Sequence, residues 1–194
     1  MTKLSGDDLQ IAIDKQPGQY IKYLHEKLAP QFRNAKPIYV KGAEADDVVA
    51  VLTKFFLETG AQHIFIVSLD SDYVQLIDPQ HAATPRFPSS QVHIFSPKTW
   101  TETVCPNPRE ALKAKILAGD NSDCIRKITF TQGSSEYWHQ YRENSQMIDF
   151  NYIPTEIQNN IVASLGWPSE NLPLSWKRMG VSREWSTDST ENIS

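Results

Sequence analysis

Seven carboxylates fall in three short runs, Glu44-Ala45-Asp46-Asp47, Asp70-Ser71-Asp72 and Asp120-Asn121-Ser122-Asp123. Brought to one place, such groups repel one another, and protonation or bound cations relieve the repulsion. Hard oxygen donors favour Mg²⁺, with Mn²⁺ as a substitute. Two such ions about 3.5 to 4 Å apart on shared carboxylates can activate a water and stabilise the leaving oxygen of a phosphodiester. Metal-assisted hydrolysis is therefore the chemistry these side chains suggest.

Each run also has a plainer reading. Glu44, Asp46 and Asp47 stand where acidic residues favour the positive end of a helix. Taken alone, Asp70-Ser71-Asp72 reads as a polar turn after a buried strand, and Gly119 through Asp123 can be a helix stop with a turn. An EF-hand loop is excluded, because its glycine and its bidentate Glu are absent. The three runs together, each at the rim of an element, weigh more than any one.

The elements that would position them follow from apolar spacing. Pro17 opens a segment with Tyr20, Ile21, Leu24 and Leu28 at helical intervals, ending before Pro30. Ile38-Tyr39-Val40 reads as a short strand leading to the first acidic run. Val48, Val51, Leu52, Phe55 and Phe56 lie on one helical face that Gly60 ends. Ile64 to Val67 has the continuous apolar pattern of a parallel strand covered on both faces, with Asp70 just past its carboxyl end, where open α/β sheets hold ligands. Asp72 begins a short helix through Ile77, a loop runs from Pro79 to Pro88, and Val92 to Phe95 forms another strand. Asn107-Pro108 starts a helix that Gly119 stops, and Asp120 lies in a loop entering a further helix. Thr155 to Leu165 is a later helix. This alternation predicts an α/β fold with a parallel sheet flanked by helices.

Of 194 residues, 40% are hydrophobic, which suits one well-buried domain. Cys105 and Cys124 show no CxxC spacing and no histidines cluster with them, so neither a zinc site nor a disulfide framework is expected and a reducing interior is. No apolar run is long enough to span a membrane, and no secretory signal opens the chain. The expected location is the cytoplasm, that of the host if the protein is viral. A net charge of −4 looks unsuited to nucleic acid, but setting the seven carboxylates aside moves it to +3, and bound cations would act the same way.

Three stretches in this order and spacing resemble the flap endonuclease or 5′-nuclease family. They are Glu-Ala-Asp-Asp-Val-Val-Ala from Glu44, Ser-Leu-Asp-Ser-Asp-Tyr-Val-Gln-Leu from Ser68 and Ile-Leu-Ala-Gly-Asp-Asn-Ser-Asp-Cys-Ile from Ile116. The bacteriophage ribonuclease H branch is the closest in look, and Glu143-Asn144 followed by Ile148 to Pro154 is similar to a later stretch of it. The resemblance implies a PIN-like domain over residues 17–125, a helical region with a shortened helix-three-turn-helix over 126–180, and a flexible tail over 181–194.

It further implies a Mg²⁺-dependent 5′-3′ exonuclease that removes RNA primers from RNA–DNA hybrids and cuts DNA flaps during replication. Glu44, Asp46, Asp47 and Asp70 would lie at or beside a first ion, Asp72, Asp120 and Asp123 around a second. Arg126 and Lys127 would meet nucleic-acid phosphate. Nothing before residue 17 matches the family's first strand, with its metal-binding Asp, or its basic arch. A separately encoded N-terminal fragment is thus one implied partner, replication proteins another. The alternative is an inactive family member that binds DNA or serves as a replication accessory.

Overall fold

The computed structural model describes Tyr23, residues 26–27, 29–32, 34–77 and 91–178. The chain divides into two compact units, Met1–Tyr39 and Val40–Ser194. In the first, Ala29–Gln31 forms a 3₁₀ turn, and the Gln31 side-chain amide donates to the Lys27 carbonyl at 2.8 Å. Most of the helix expected from Pro17 to Pro30 lies outside the described residues, as do the Pro79 to Pro88 loop and the tail at 181–194.

The second unit holds α1 (Ala45–Thr59), β1 (His63–Val67), a 3₁₀ turn (Asp72–Ile77), β2 (Gln91–Phe95), α2 (Pro108–Ala118), α3 (Ser135–Ile148), α4 (Thr155–Ser164) and α5 (Leu174–Arg178). Helix α1 follows its apolar spacing. Ala50, Val51, Phe55 and Leu57 are buried, and Gly60 takes a left-handed conformation at its end. Phe55 sits edge-on to Trp167 and Trp176 at 5.5 and 5.7 Å between ring centres, which anchors α1 on the later helices. Ile161 and Val162 of α4 complete that core.

Strands β1 and β2 pair in parallel, with Ile64 opposite Val92 and Phe65 opposite His93. Among the described residues the sheet has these two strands. Residues 101–103 run beside β2 in the opposite sense, through an isolated bridge between Phe95 and Glu102. The face carrying Ile66, Val92 and Ile94 is buried, while Phe65 is 64% and Val67 50% exposed. The run Ile64 to Val67 is therefore covered on one face, not two. Ile38-Tyr39-Val40, expected as a strand, makes no ladder among the described residues. The loop after Asp120 also differs from expectation. It closes on itself through Asp120 and Ile125, and the next helix begins only at Ser135.

Behind this loop, Ile116, Ile125 and Ile148 form a small core with Leu112 and Tyr141 against it. Two buried amides tie the pieces together. Asn144 of α3 donates to the carbonyls of Ile116 and Arg126 at 2.8 and 2.9 Å. Gln75 of the 3₁₀ turn donates to the Ile148 carbonyl at 3.1 Å and accepts from the Phe150 amide at 3.0 Å. Buried polar groups are retained when they are paired in this way.

Candidate metal centre

The carboxyl end of β1 opens into the second acidic run. Beyond Val67, the Ser68 hydroxyl accepts the Asp70 amide at 3.0 Å, and Asp70 Oδ1 accepts the Asp72 amide at 2.8 Å. These local bonds turn the chain into the 3₁₀ segment and hold Asp70 and Asp72 near each other. Asp46 arrives from the first turn of α1. Oxygens of Asp46, Asp70 and Asp72 all lie within 4.8 Å of one another.

Glu44 and Asp47, expected as ligands or neighbours, are joined in a capping box. The Glu44 amide donates to Asp47 Oδ2 at 3.1 Å, and the Glu44 side chain receives the Asp47 amide. Their side chains serve the start of α1 while Asp46, between them, reaches the cluster. Asp47 remains close enough for its charge to act on Asp46.

Asp120 approaches from the end of α2. Its Oδ1 accepts from the Ser122 amide at 2.9 Å and the Ser122 hydroxyl at 2.5 Å. Gly119 makes the turn that places it, with φ 69° and ψ −173° and its amide on the Lys115 carbonyl at 2.9 Å. A Cβ at Gly119 would lie 2.5 Å from the Ile125 carbonyl oxygen, so this position admits no side chain without movement of the backbone. Asp123 is exposed and is not drawn into the cluster. It lines an open groove with Arg126, Lys127, Gln140 and Asn144, where the two basic side chains are also exposed.

Two side chains at the candidate centre escaped the sequence reading. Lys115, in the last turn of α2, pairs with Asp72 and lies 3.2 Å from Asp120 Oδ2, so one ammonium joins the second and third acidic runs. Its position among the last carbonyls of a helix was the available signal. Tyr73 donates its hydroxyl proton to Asp46 Oδ1 at 2.6 Å. No spacing rule pointed to it, because Tyr73 sits beside Asp72 in sequence but meets Asp46 only through folding.

The electrostatics show a shortage of positive charge. Burial pushes the Asp46 carboxyl up; the Tyr73 hydrogen bond opposes this, and the charges of Asp70, Asp72 and Asp47 add to it. Burial and the bond to Asp46 also push the Tyr73 hydroxyl up. Desolvation weakens the Lys115 ammonium, yet Asp72 and Asp120 outweigh it and hold the lysine charged. The Ser122 hydrogen bonds, with Lys115 behind them, bring Asp120 down to about 2. Three hard oxygen donors, one under strain from its neighbours, fit a divalent cation of the Mg²⁺ class.

No family model matches the chain. It is 30% identical over 155 residues to ribonuclease H of Enterobacteria phage T4, covering 61% of this chain and 47% of that protein. Over 88 residues it is 32% identical to a 5′-3′ exonuclease of Mycoplasmopsis pulmonis, covering 45% of this chain and 28% of that one. The chain thus spans about half or less of the length of these curated relatives. The crystal structure of the T5 D15 protein, co-crystallized with metal ions, shares the fold with a TM-score of 0.54 at 16% identity, covering 92% of this chain and 72% of that one. The chain is thus similar in sequence to a phage ribonuclease H and a 5′-3′ exonuclease, and it shares with the T5 D15 protein the expected PIN-like α/β fold.

Proposed function

We propose that the chain hydrolyses phosphodiester bonds as a divalent-metal-dependent 5′-3′ nuclease, acting on RNA–DNA hybrids and DNA flaps. The observation that carries this reading is the convergence of Asp46, Asp70 and Asp72 past the carboxyl end of β1. A Mg²⁺ ion bound by such donors supplies charge stabilisation for a phosphoryl group and a more acidic water. Asp46, Asp70 and Asp72 are its ligands in this proposal. Tyr73 aims Asp46, and the Ser68 hydroxyl and the Asp72 amide fix Asp70. Lys115 holds Asp72 and Asp120 at one distance, so Asp120 belongs to the rim of the site. Exposed Arg126 and Lys127 are assigned to phosphate contact, with Asp123 in the same groove.

The domain boundaries carried by this reading are a nuclease portion over 17–125 and a helical region over 126–180. A second reading has the same centre bind metal and nucleic acid without cleavage. The Lys115 ammonium favours it, since it already neutralises Asp72 and Asp120, where a second ion would otherwise be held. Cleavage of 5′-labelled RNA–DNA hybrid and 5′-flap substrates with Mg²⁺ or Mn²⁺ separates the two. Short products that disappear in Asp70→Asn and Asp120→Asn support the nuclease. A folded chain that binds the substrates and leaves them whole supports the second reading.

A further inference from the structure

Parallel register places on the exposed sheet face a set of side chains that sequence spacing keeps apart. His63 and Phe65 of β1 share that face with His93 of β2, because Phe65 is the register partner of His93. His63 Nδ1 lies 3.2 Å from His93 Nε2. On its other side, His93 Nδ1 is 2.6 Å from Glu102 Oε1. The Phe65 ring stacks on His93 at 5.0 Å between centres and on His63 at 6.3 Å, which fixes both imidazole planes.

The Glu102 carboxylate accepts a hydrogen bond from His93 Nδ1–H, so in the neutral ring the lone pair is on Nε2 and faces His63. Two ring nitrogens at this separation share either the hydrogen of a neutral His63 Nδ1–H or a cation between their lone pairs. Two imidazole nitrogens each about 2.0 to 2.1 Å from one ion stand about 3.3 Å apart at a tetrahedral angle. The observed 3.2 Å matches that spacing. A carboxylate behind a ligating histidine is also the usual support of such a ligand.

We propose that His63 and His93, with Glu102 orienting His93, form a second cation site that takes a transition ion of the Zn²⁺ class. It differs in chemistry from the carboxylate centre, since imidazole nitrogen suits Zn²⁺, Cu²⁺ and Ni²⁺ whereas Mg²⁺ requires oxygen. The two histidines leave coordination positions open to water. Bound there, the ion joins the amino end of β1 to β2 and stiffens the sheet whose other end carries Asp70. The site does not depend on nuclease activity.

The test is a Zn²⁺ titration of the full chain in excess Mg²⁺, which occupies the carboxylate centre, followed by calorimetry and by the Zn²⁺-induced rise in thermal midpoint. Co²⁺ in place of Zn²⁺ reports nitrogen ligation through its visible absorption. Expected is one bound ion per chain, lost in His93→Ala, weakened at least 10-fold in the exposed His63→Ala, and weakened about 10- to 100-fold in Glu102→Gln. Asp70→Asn should retain it. Zn²⁺ binding unchanged in His63→Ala, or lost only in Asp70→Asn, overturns the proposal, as does a Co²⁺ complex of the wild-type chain without the absorption of nitrogen ligands.

Discussion

Gly119 offers the sharpest test of how the centre is held. Its torsions, φ 69° and ψ −173°, lie in a region essentially reserved for glycine, where another residue costs about 1 to 3 kcal/mol. An alanine methyl would also meet the Ile125 carbonyl oxygen at 2.5 Å and the carbonyl carbon and oxygen of Arg126 at 2.6 and 2.8 Å. All three are backbone atoms, so relief requires the chain itself to move, at a further cost of about 1 to 3 kcal/mol by analogy with overpacking. Gly119→Ala is thus expected to lose about 2 to 6 kcal/mol. Gly166 is the internal control: its φ is 63°, and a Cβ there would meet nothing within 4 Å. Gly166→Ala should lose only about 1 to 2 kcal/mol, the backbone cost alone. For a chain of this size each kcal/mol is worth about 2 to 4 °C in thermal midpoint. Urea denaturation of both variants measures the difference. Mn²⁺ titration of Gly119→Ala should show weaker binding as well, because the Asp120 carboxylate is displaced from the rim of the site. If Gly119→Ala matches Gly166→Ala in stability and binds Mn²⁺ like the wild type, the steric account of the turn is wrong.

Asp46 and Asp120 should give the fold opposite pH dependences. Asp46 has a raised folded pKa, so its ionisation costs stability as pH climbs above the ordinary Asp value near 3.8, and the cost is complete once pH passes the folded value. Asp120, lowered to about 2, contributes stability above the ordinary value that is lost as pH falls from about 4 to about 2. Carboxyl-carbon NMR titrations of the metal-free chain check both, with Asp46→Asn expected to raise the thermal midpoint at neutral pH. Replacing Lys115 by Met should raise the Asp120 carboxyl and tighten Mn²⁺ severalfold in calorimetry, because a competing cation is gone. Asn144→Ala strands the buried Ile116 carbonyl and leaves the Arg126 carbonyl to Gln140, and should cost about 1 to 3 kcal/mol in urea denaturation.

The helices were the most legible part of the sequence, since their apolar spacing reports the buried face directly. The spacing from Val48 to Phe56 and the Asn107-Pro108 start both yielded helices within a residue or two of the observed bounds. Strands carried less information. A four-residue apolar run states that a strand is apolar, not how many layers cover it, which is why Phe65 and Val67 emerge exposed. Ile38 to Val40 has strand-like side chains but joins no ladder among the described residues. In the acidic runs, residue type gave the chemistry and the separate roles stayed hidden. Glu44 and Asp47 went to a capping box, Asp46 to the cluster, and only the backbone path decides which. Lys115, Tyr73 and the pairing of His63 with His93 depend on contacts between segments 27 to 43 positions apart, beyond any local pattern.

Asp120 and Ile125 exchange both of their backbone hydrogen bonds, at 2.9 and 2.7 Å, and the four residues between them hang from that clasp. Opening the clasp breaks two bonds and frees Asp120 from its backbone reference, so it is a local unfolding step with its own equilibrium. A cation that gains from Asp120 binds the closed form better than the open one. Linkage then requires closure to strengthen binding by the same factor as binding strengthens closure. The amide protons of Asp120 and Ile125 are therefore a built-in gauge of occupancy. Their hydrogen-exchange protection should rise with added Mn²⁺ by the factor through which the clasp contributes to affinity.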